Sequence, residues 1–365
     1  MQHHTQGEFI VRSKQTQRRF LGAALVLSSL SCVGPLQAAA ASSVTLFGVV
    51  DQGLVYEHKN GQSSLKQKSS NQAGSRWGLR GSEDLGDGYK ATFLLESGFN
   101  LTDGTQGQGR LFGRGTHIGL SGDFGEIKMG RMSVFGSDWG GVGSPFGGGW
   151  GQSGNGTVLG NGKGDFGEGG RVNNAFFYTS PRMDGWQGGV GYSLEATNGD
   201  AFATSAHDRV LTTGLRYDNG PVALALTYDR SIPNLQEPKE KKEQKEEEKK
   251  KFIRKKASSN IQIAAAYDFE MFKVHASYGN LRKSNSDEYG KYKSVHAVIA
   301  GVTVPTGRTG KLMAVYQHSS AKIEGWALGY QYDLSKRTNL YAFLNRVDTA
   351  GSHKLQSALG VRHTF

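Results

Sequence analysis

Trp326-Ala327-Leu328-Gly329-Tyr330-Gln331-Tyr332 alternates bulky with small or polar side chains, and Asp333-Leu334-Ser335-Lys336-Arg337-Thr338-Asn339 follows as a tight polar connection. A second strand, Leu340 to Val347, and a third, Leu355 to Phe365, complete the unit. Strand side chains repeat every two residues, so Leu359, Val361, His363 and Phe365 share one face. A soluble sheet would cover that face with helices or with a second sheet. The same alternation recurs along the whole chain, and no amphipathic helical stretch is available as a cover. An all-β transmembrane antiparallel barrel, with its apolar face in lipid, satisfies the pattern.

The period of two is clean upstream as well. Val44, Leu46, Val50, Leu54 and Tyr56 share one parity, and Tyr89, Ala91, Phe93, Leu95 and Phe99 another. Val222, Leu224, Leu226 and Tyr228 oppose Ala223, Ala225, Thr227 and Asp229. Short connections alternate with longer ones. The short ones are 83–88, 122–125, 180–185, 218–221, 268–272, 305–310 and 333–339; the longer are 58–74, 101–109, 132–170, 195–207, 231–260, 282–293, 319–323 and 348–354. Seven short turns and eight longer loops predict sixteen strands. An even count with short periplasmic turns fits a bacterial outer-membrane barrel, and sixteen strands leave a water-filled lumen.

The first 41 residues read as a signal peptide. Arg12, Lys14, Arg18 and Arg19 precede the apolar stretch Phe20 to Val33, and Ala38-Ala39-Ala40-Ala41 offers a cleavage site before Ser42. That stretch falls short of the roughly 20 residues a membrane helix needs. Cys32, the only cysteine, lies inside this leader, and Ser29 stands where a lipoprotein signal wants a leucine. The mature domain, 42–365, therefore has no disulfide and no cysteine ligand or nucleophile. Hydrophobic content of 36% suits a barrel whose alternate strand residues face water. Net charge is +11 over the chain and +8 without the leader. Export sets aside nucleic acid as the partner of that basic charge.

Two connections stand out. Residues 132–170 hold Trp139, Phe146, Trp150 and Phe166 among many glycines, so this loop should pack rather than float. Residues 231–260 carry the Lys/Glu run Glu237–Lys251, which reads as a solvated surface loop. Chemistry of other kinds leaves no mark. The G-x-G-x-x-G at Gly162–Gly167 has no βαβ unit around it. The histidines are scattered without metal-ligand spacing, and no Gly-x-Ser-x-Gly elbow occurs. No enzyme, cofactor or metal is expected.

Several motifs resemble the general porins of β-proteobacterial type. They include Ser43-Val44-Thr45-Leu46-Phe47-Gly48, the run Ser75-Arg76-Trp77-Gly78-Leu79-Arg80-Gly81-Ser82-Glu83-Asp84-Leu85-Gly86-Asp87-Gly88, Leu111-Phe112-Gly113-Arg114, Gly130-Arg131 and Gly360-Val361-Arg362-His363-Thr364-Phe365. The resemblance implies a homotrimeric, sixteen-stranded outer-membrane channel for passive diffusion of small hydrophilic solutes and ions. It implies that the third outer loop, 132–170 here, folds into the pore. Arg76, Arg114 and Arg171, with Arg131 as a further candidate, would form a basic constriction wall that prefers anions. Ser144-Pro145-Phe146 departs from the family, where an acidic residue often precedes Pro-Phe, so Asp138, Asp165 and Glu168 are the acidic candidates. Phe365 resembles the assembly signal read by the outer-membrane insertion machinery. Partners would be outer-membrane lipid and lipopolysaccharide, that machinery, small solutes and anions.

Parity supports part of this independently. Arg76, Gly78 and Arg80 share a face opposite Trp77 and Leu79, and Arg171 opposes Val172, Phe176 and Tyr178. An arginine facing lipid at mid-membrane costs about 2–4 kcal/mol, so both point inward. Parity leaves Arg114 and Arg131 unoriented. The alternatives are arginines that merely line a wet wall, a channel specific for one anionic nutrient, and a surface adhesin or barrel enzyme.

Overall fold

The computed structural model describes residues 42–160, 164–196, 207–233 and 256–365. The leader and the Lys/Glu run Glu237–Lys251 lie outside the described residues. Among the described residues seventeen strands form: β1 (Ser43–Lys59), β2 (Gln62–Ser69), β3 (Arg76–Gly86), β4 (Tyr89–Gly98), β5 (Gly115–Gly122), β6 (Gly125–Ser133), β7 (Arg171–Thr179), β8 (Trp186–Ser193) and β9 (Arg209–Asn219), then β10 (Val222–Ile232), β11 (Ser259–Asp268), β12 (Lys273–Arg282), β13 (Ser294–Thr306), β14 (Gly310–Ser319), β15 (Ile323–Asp333), β16 (Thr338–Thr349) and β17 (Ser352–Thr364). From β3 onward each strand pairs antiparallel with the next, and β17 returns to β1 over Val49 to Lys59. The other edge of β1 pairs with β3 over Ser43–Val49 and with β2 over Gln52–Lys59. Thus β2 and β3 are two halves of one wall strand, and the ring is a closed sixteen-stranded barrel with no free edge.

The first outer connection, expected as the loop 58–74, is instead a tight hairpin. Asn60 and Gly61 take φ of 49° and 83°. Two positive φ values are what a two-residue turn needs to match strand twist, and Asn-Gly supplies them cheaply. What remains of that loop is the break at 70–75 between β2 and β3. The connections at 319–323 and 348–354, expected as longer loops, are also tight turns because β14 to β17 extend nearly to the chain reversals.

Burial runs opposite to that of a soluble sheet. Leu46, Leu54, Ile118, Ile263, Leu328 and Leu359 are all more than half exposed. Gln262, Gln317, Asn345 and Gln356, on the other parity, are buried. The exposed leucines and isoleucines need a lipid solvent, and each strand satisfies its backbone groups against its neighbours, as crossing a bilayer demands. Among the described residues no helix is long and apolar enough to cross a membrane. Closure is finished by Phe365, whose N–H and C=O exchange hydrogen bonds of 3.1 and 3.0 Å with Gly48. Its ring lies so close over Gly48 that a Cβ there would sit 2.3 Å from the ring edge.

Candidate functional site: a basic cavity between the wall and a docked loop

Between β6 and β7 the chain makes two one-turn helices, α1 (Phe135–Asp138) and α2 (Gly156–Leu159), and a 3-10 turn at Gly140–Gly143. None is long enough to stand alone. They persist because the loop's aromatics are buried against the polar parity of distant strands. Phe135 and Trp139 stack at 4.3 Å, and the Phe135 N–H donates to Thr212 Oγ1 at 2.9 Å. Trp150 packs at 5.6 Å from Tyr341 and 6.2 Å from Phe343. Gln317 Nε2 donates to the Gln152 carbonyl at 2.9 Å, and Asn260 Nδ2 to that of Leu159 at 2.8 Å.

Wall glycines make the space for these side chains. A Cβ on Gly189 would lie 2.4 Å from Phe135, on Gly214 2.6 Å from Trp139, on Gly301 2.6 Å from Pro145, and on Gly329 2.6 Å from Phe146. Real Cβ atoms do not approach so closely, so these glycines act as sockets. The glycine abundance was visible in the sequence; which glycines face the loop depends on strand register.

A cavity of about 900 Å³ remains between the loop and strands β3 to β9. Arg76, Arg114, Arg131, Arg171, Arg216 and Lys128 line it against Glu96, Glu126 and Asp138, an excess of three positive charges. Arg114 Nε bonds Glu96 Oε1, and Arg76 Nε stands 3.8 Å from the same oxygen. Arg171 Nε donates to the Arg114 carbonyl at 2.9 Å. Arg131 is nearly fully buried; it donates to Gly113 O at 2.9 Å and Asn173 Oδ1 at 2.6 Å, and its ion pair with Glu168 is 3.3 Å long. All four arginines singled out in the sequence meet here. Parity had left Arg114 and Arg131 open because Arg114 precedes β5 and a register shift lies between Gly130 and Met132.

The acidic candidates separate. Asp138 lines the cavity, with Arg216, Lys128 and Arg171 as its charged neighbours. The residue is exposed to the cavity, yet crowding by protein raises its pKa above the ordinary value, and those cations offset only part of the rise. It therefore gives up its negative charge at higher pH than a free aspartate. Glu168 is half exposed at the margin, shared by Arg131 and Arg110. Asp165 does not line the cavity. It is buried, accepting from Ser258 Oγ at 2.8 Å, from the Asn285 N–H at 2.7 Å and from Ser284 Oγ, and so ties the loop to the connections around β11 and β12.

Sequence reasoning missed Arg216, Lys128 and Glu96. Arg216 lies 4.8 Å over the Trp139 ring and donates through Nε to Gln187 Oε1 at 2.9 Å. Its inward parity was legible opposite Leu215, but the loop that reaches it was not. Among the described residues no group of three or more His, Cys, Asp or Glu could hold a metal ion.

Comparison with known proteins agrees with this architecture. A family profile described as Gram-negative porin matches residues 23–352. An outer membrane porin protein of Bordetella pertussis is 32% identical, covering 90% of this chain and 96% of its own length. Outer membrane porin protein 32 of Delftia acidovorans is 31% identical over 90% and 95%. Among solved structures, an anion-selective porin from Comamonas acidovorans superposes with a TM-score of 0.70 at 27% identity, covering 89% of this chain and all of that one. The trimer form of OmpT from Vibrio cholerae, at 14% identity and a TM-score of 0.62, shares the fold. The chain belongs to the Gram-negative porins and is an outer-membrane β-barrel.

Proposed function

We propose that in this outer-membrane porin the segment 132–170 folds into the lumen and narrows it, and that the cavity against Arg76, Arg114, Arg131 and Arg171 is the constriction, selective for anions. The glycine sockets are the observation that carries the reading, because they seat loop side chains on the wall parity opposite the exposed apolar residues. Six cations against three carboxylates then surround the remaining passage. Charged rings in a confined pore concentrate counter-ions and repel co-ions. The relative from Comamonas, named as anion-selective, supports the same sign. Asp138 is the one acid on the loop side of the cavity, and Glu168 moderates Arg131 from the margin.

Planar-bilayer recording of the purified protein is the direct test. Stepwise conductance that tolerates many solutes supports a general channel. Saturable block by a single anion would replace it with a nutrient-specific channel, and no conductance would sink both.

The homotrimer belongs to the same proposal. A depression of about 750 Å³ on the outer wall is lined almost wholly by apolar side chains, among them Leu54, Leu65, Leu312, Tyr330, Leu344 and Leu359. That surface suits a neighbouring protomer. Lipopolysaccharide and membrane lipid would cover the remaining apolar band, and residues 1–41 would serve as the export signal.

Phe365 is proposed to act in assembly rather than transport. It joins the first and last strands at Gly48 and does not itself line the cavity. Deleting it should lower the yield of folded barrel in the outer membrane while single-channel conductance stays at the wild-type value. Unchanged yield at native expression would count against the role.

A further inference from the structure

Asp51, on β1, is fully buried and does not line the cavity. Its Oδ2 accepts the backbone N–H groups of Gln72 and Ala73, each at 2.6 Å, and its Oδ1 accepts the Tyr341 hydroxyl at 2.6 Å. The Asp51 backbone is engaged too: its N–H donates to Ser75 Oγ at 3.1 Å, and its carbonyl accepts the Ser70 N–H at 2.9 Å. A buried carboxylate is costly unless donors satisfy it. Here every donor comes from the break between β2 and β3 or from β16, so the carboxylate holds that break in one shape.

The break is where the tip of the loop lands. Trp150 N–H donates to the Gln72 carbonyl at 3.3 Å, and Gly151 N–H to the Asn71 carbonyl at 2.9 Å. Gly149 comes so near that a Cβ would sit 2.0 Å from the Gln72 oxygen. The other arm of the carboxylate fixes Tyr341, whose ring packs against Trp150 at 5.6 Å. One side chain thus organises both surfaces that receive the loop tip, the carbonyls of the break and the aromatic wall of β16.

We infer that Asp51 is a positioning residue that sets the docked place of the loop tip and, through it, the width and open lifetime of the channel. The inference rests on the reading of 132–170 as the constriction. Asp51→Asn keeps the shape but removes the charge and leaves one acceptor oxygen where there were two, so one arm loses its acceptor. Tyr341→Phe removes one of the three bonds and leaves the ring.

The test uses full-length protein refolded or extracted as the intact barrel, with its folded state checked by resistance to heating before electrophoresis. Both variants should stay folded, yet close more often and at lower voltage. Asp51→Asn should raise the closure frequency about tenfold, equivalent to about 1.4 kcal/mol, and Tyr341→Phe should raise it less. Adding Asp51→Asn to Gly149→Ala should change little beyond Gly149→Ala alone, because both act on one contact. Folded variants with wild-type conductance and closure would overturn the inference, as would additive effects in the double variant. Should Asp51→Asn fail to fold, Tyr341→Phe with Gly149→Ala decides by the same criterion. Removing residues 144–153 separates the two ideas. Unchanged conductance there would defeat the constriction reading itself, whereas a large change with silent Asp51 variants would defeat only the role of Asp51.

Discussion

Across a KCl gradient the wild-type channel should show a reversal potential of the sign for chloride preference, and that preference should fade stepwise through Arg76→Gln, Arg114→Gln and Arg171→Gln. The magnitude follows from Coulomb's law. A unit charge about 8 Å from a permeating ion, at an effective dielectric constant of about 40, between the protein-surface and bulk limits, is worth about 1 kcal/mol. Removing it raises the energy of chloride and lowers that of potassium, so the two effects add in the permeability ratio. Salt screens the interaction over about 10 Å at 0.1 M, which leaves a several-fold change per arginine. Arg114→Gln carries a further consequence, because Glu96 loses its short partner and keeps only Arg76 at 3.8 Å. Its effect should therefore exceed that of Arg76→Gln. A cation-selective wild type would refute the basic constriction and shift attention to Asp138 and Glu96.

Gly214→Ala and Gly329→Ala should narrow the channel. In an ordinary strand the exchange of glycine for alanine stabilises by about 0.5–1 kcal/mol, because glycine loses more freedom on folding. Neither glycine has the positive φ that would forbid a side chain. Here the added methyl meets Trp139 or Phe146 at 2.6 Å, and overpacking of this kind costs about 1–3 kcal/mol. The wall is held by a hydrogen-bonded ladder on both sides, so the loop is the part that yields. A loop pushed off that wall moves toward the cavity, so single-channel conductance should fall and liposome swelling should exclude larger sugars, with the largest effect when both exchanges are combined. Folded variants that gain heat stability and keep the wild-type solute limit would show that the loop does not define the passage.

The sequence by itself determined the architecture. Alternation of Leu359, Val361 and Phe365 against Gly360 and Arg362 puts apolar residues on one face, and that face is exposed in the structure. Such alternation is local: each strand carries it within about ten residues, because side-chain direction depends only on position along the strand. The inward direction of Arg76 and Arg171 was legible for the same reason, whereas the strand number came from counting connections and the resemblance to porins from the motifs near both ends of the barrel domain. The Asn60-Gly61 turn is a local hairpin signal, but polar residues on both sides make 58–74 read as one loop.

The tertiary structure decided everything that depends on which strand faces which. Asp165, Asp138 and Glu168 look alike in sequence, yet one ties the loop to 284 and 285, one stands in the cavity and one sits at its margin. Glu96 is an unremarked residue of an alternating strand until β4 is laid beside β3 and Arg114, where it joins two arginines. Asp51 acquires its meaning only when β1, the break at 70–75 and β16 come together across nearly three hundred residues. The physical reason is that charge and packing act over a few ångströms of space whatever the separation along the chain. A period of two fixes the face on which a side chain stands, and only the closed register of the barrel fixes its neighbours.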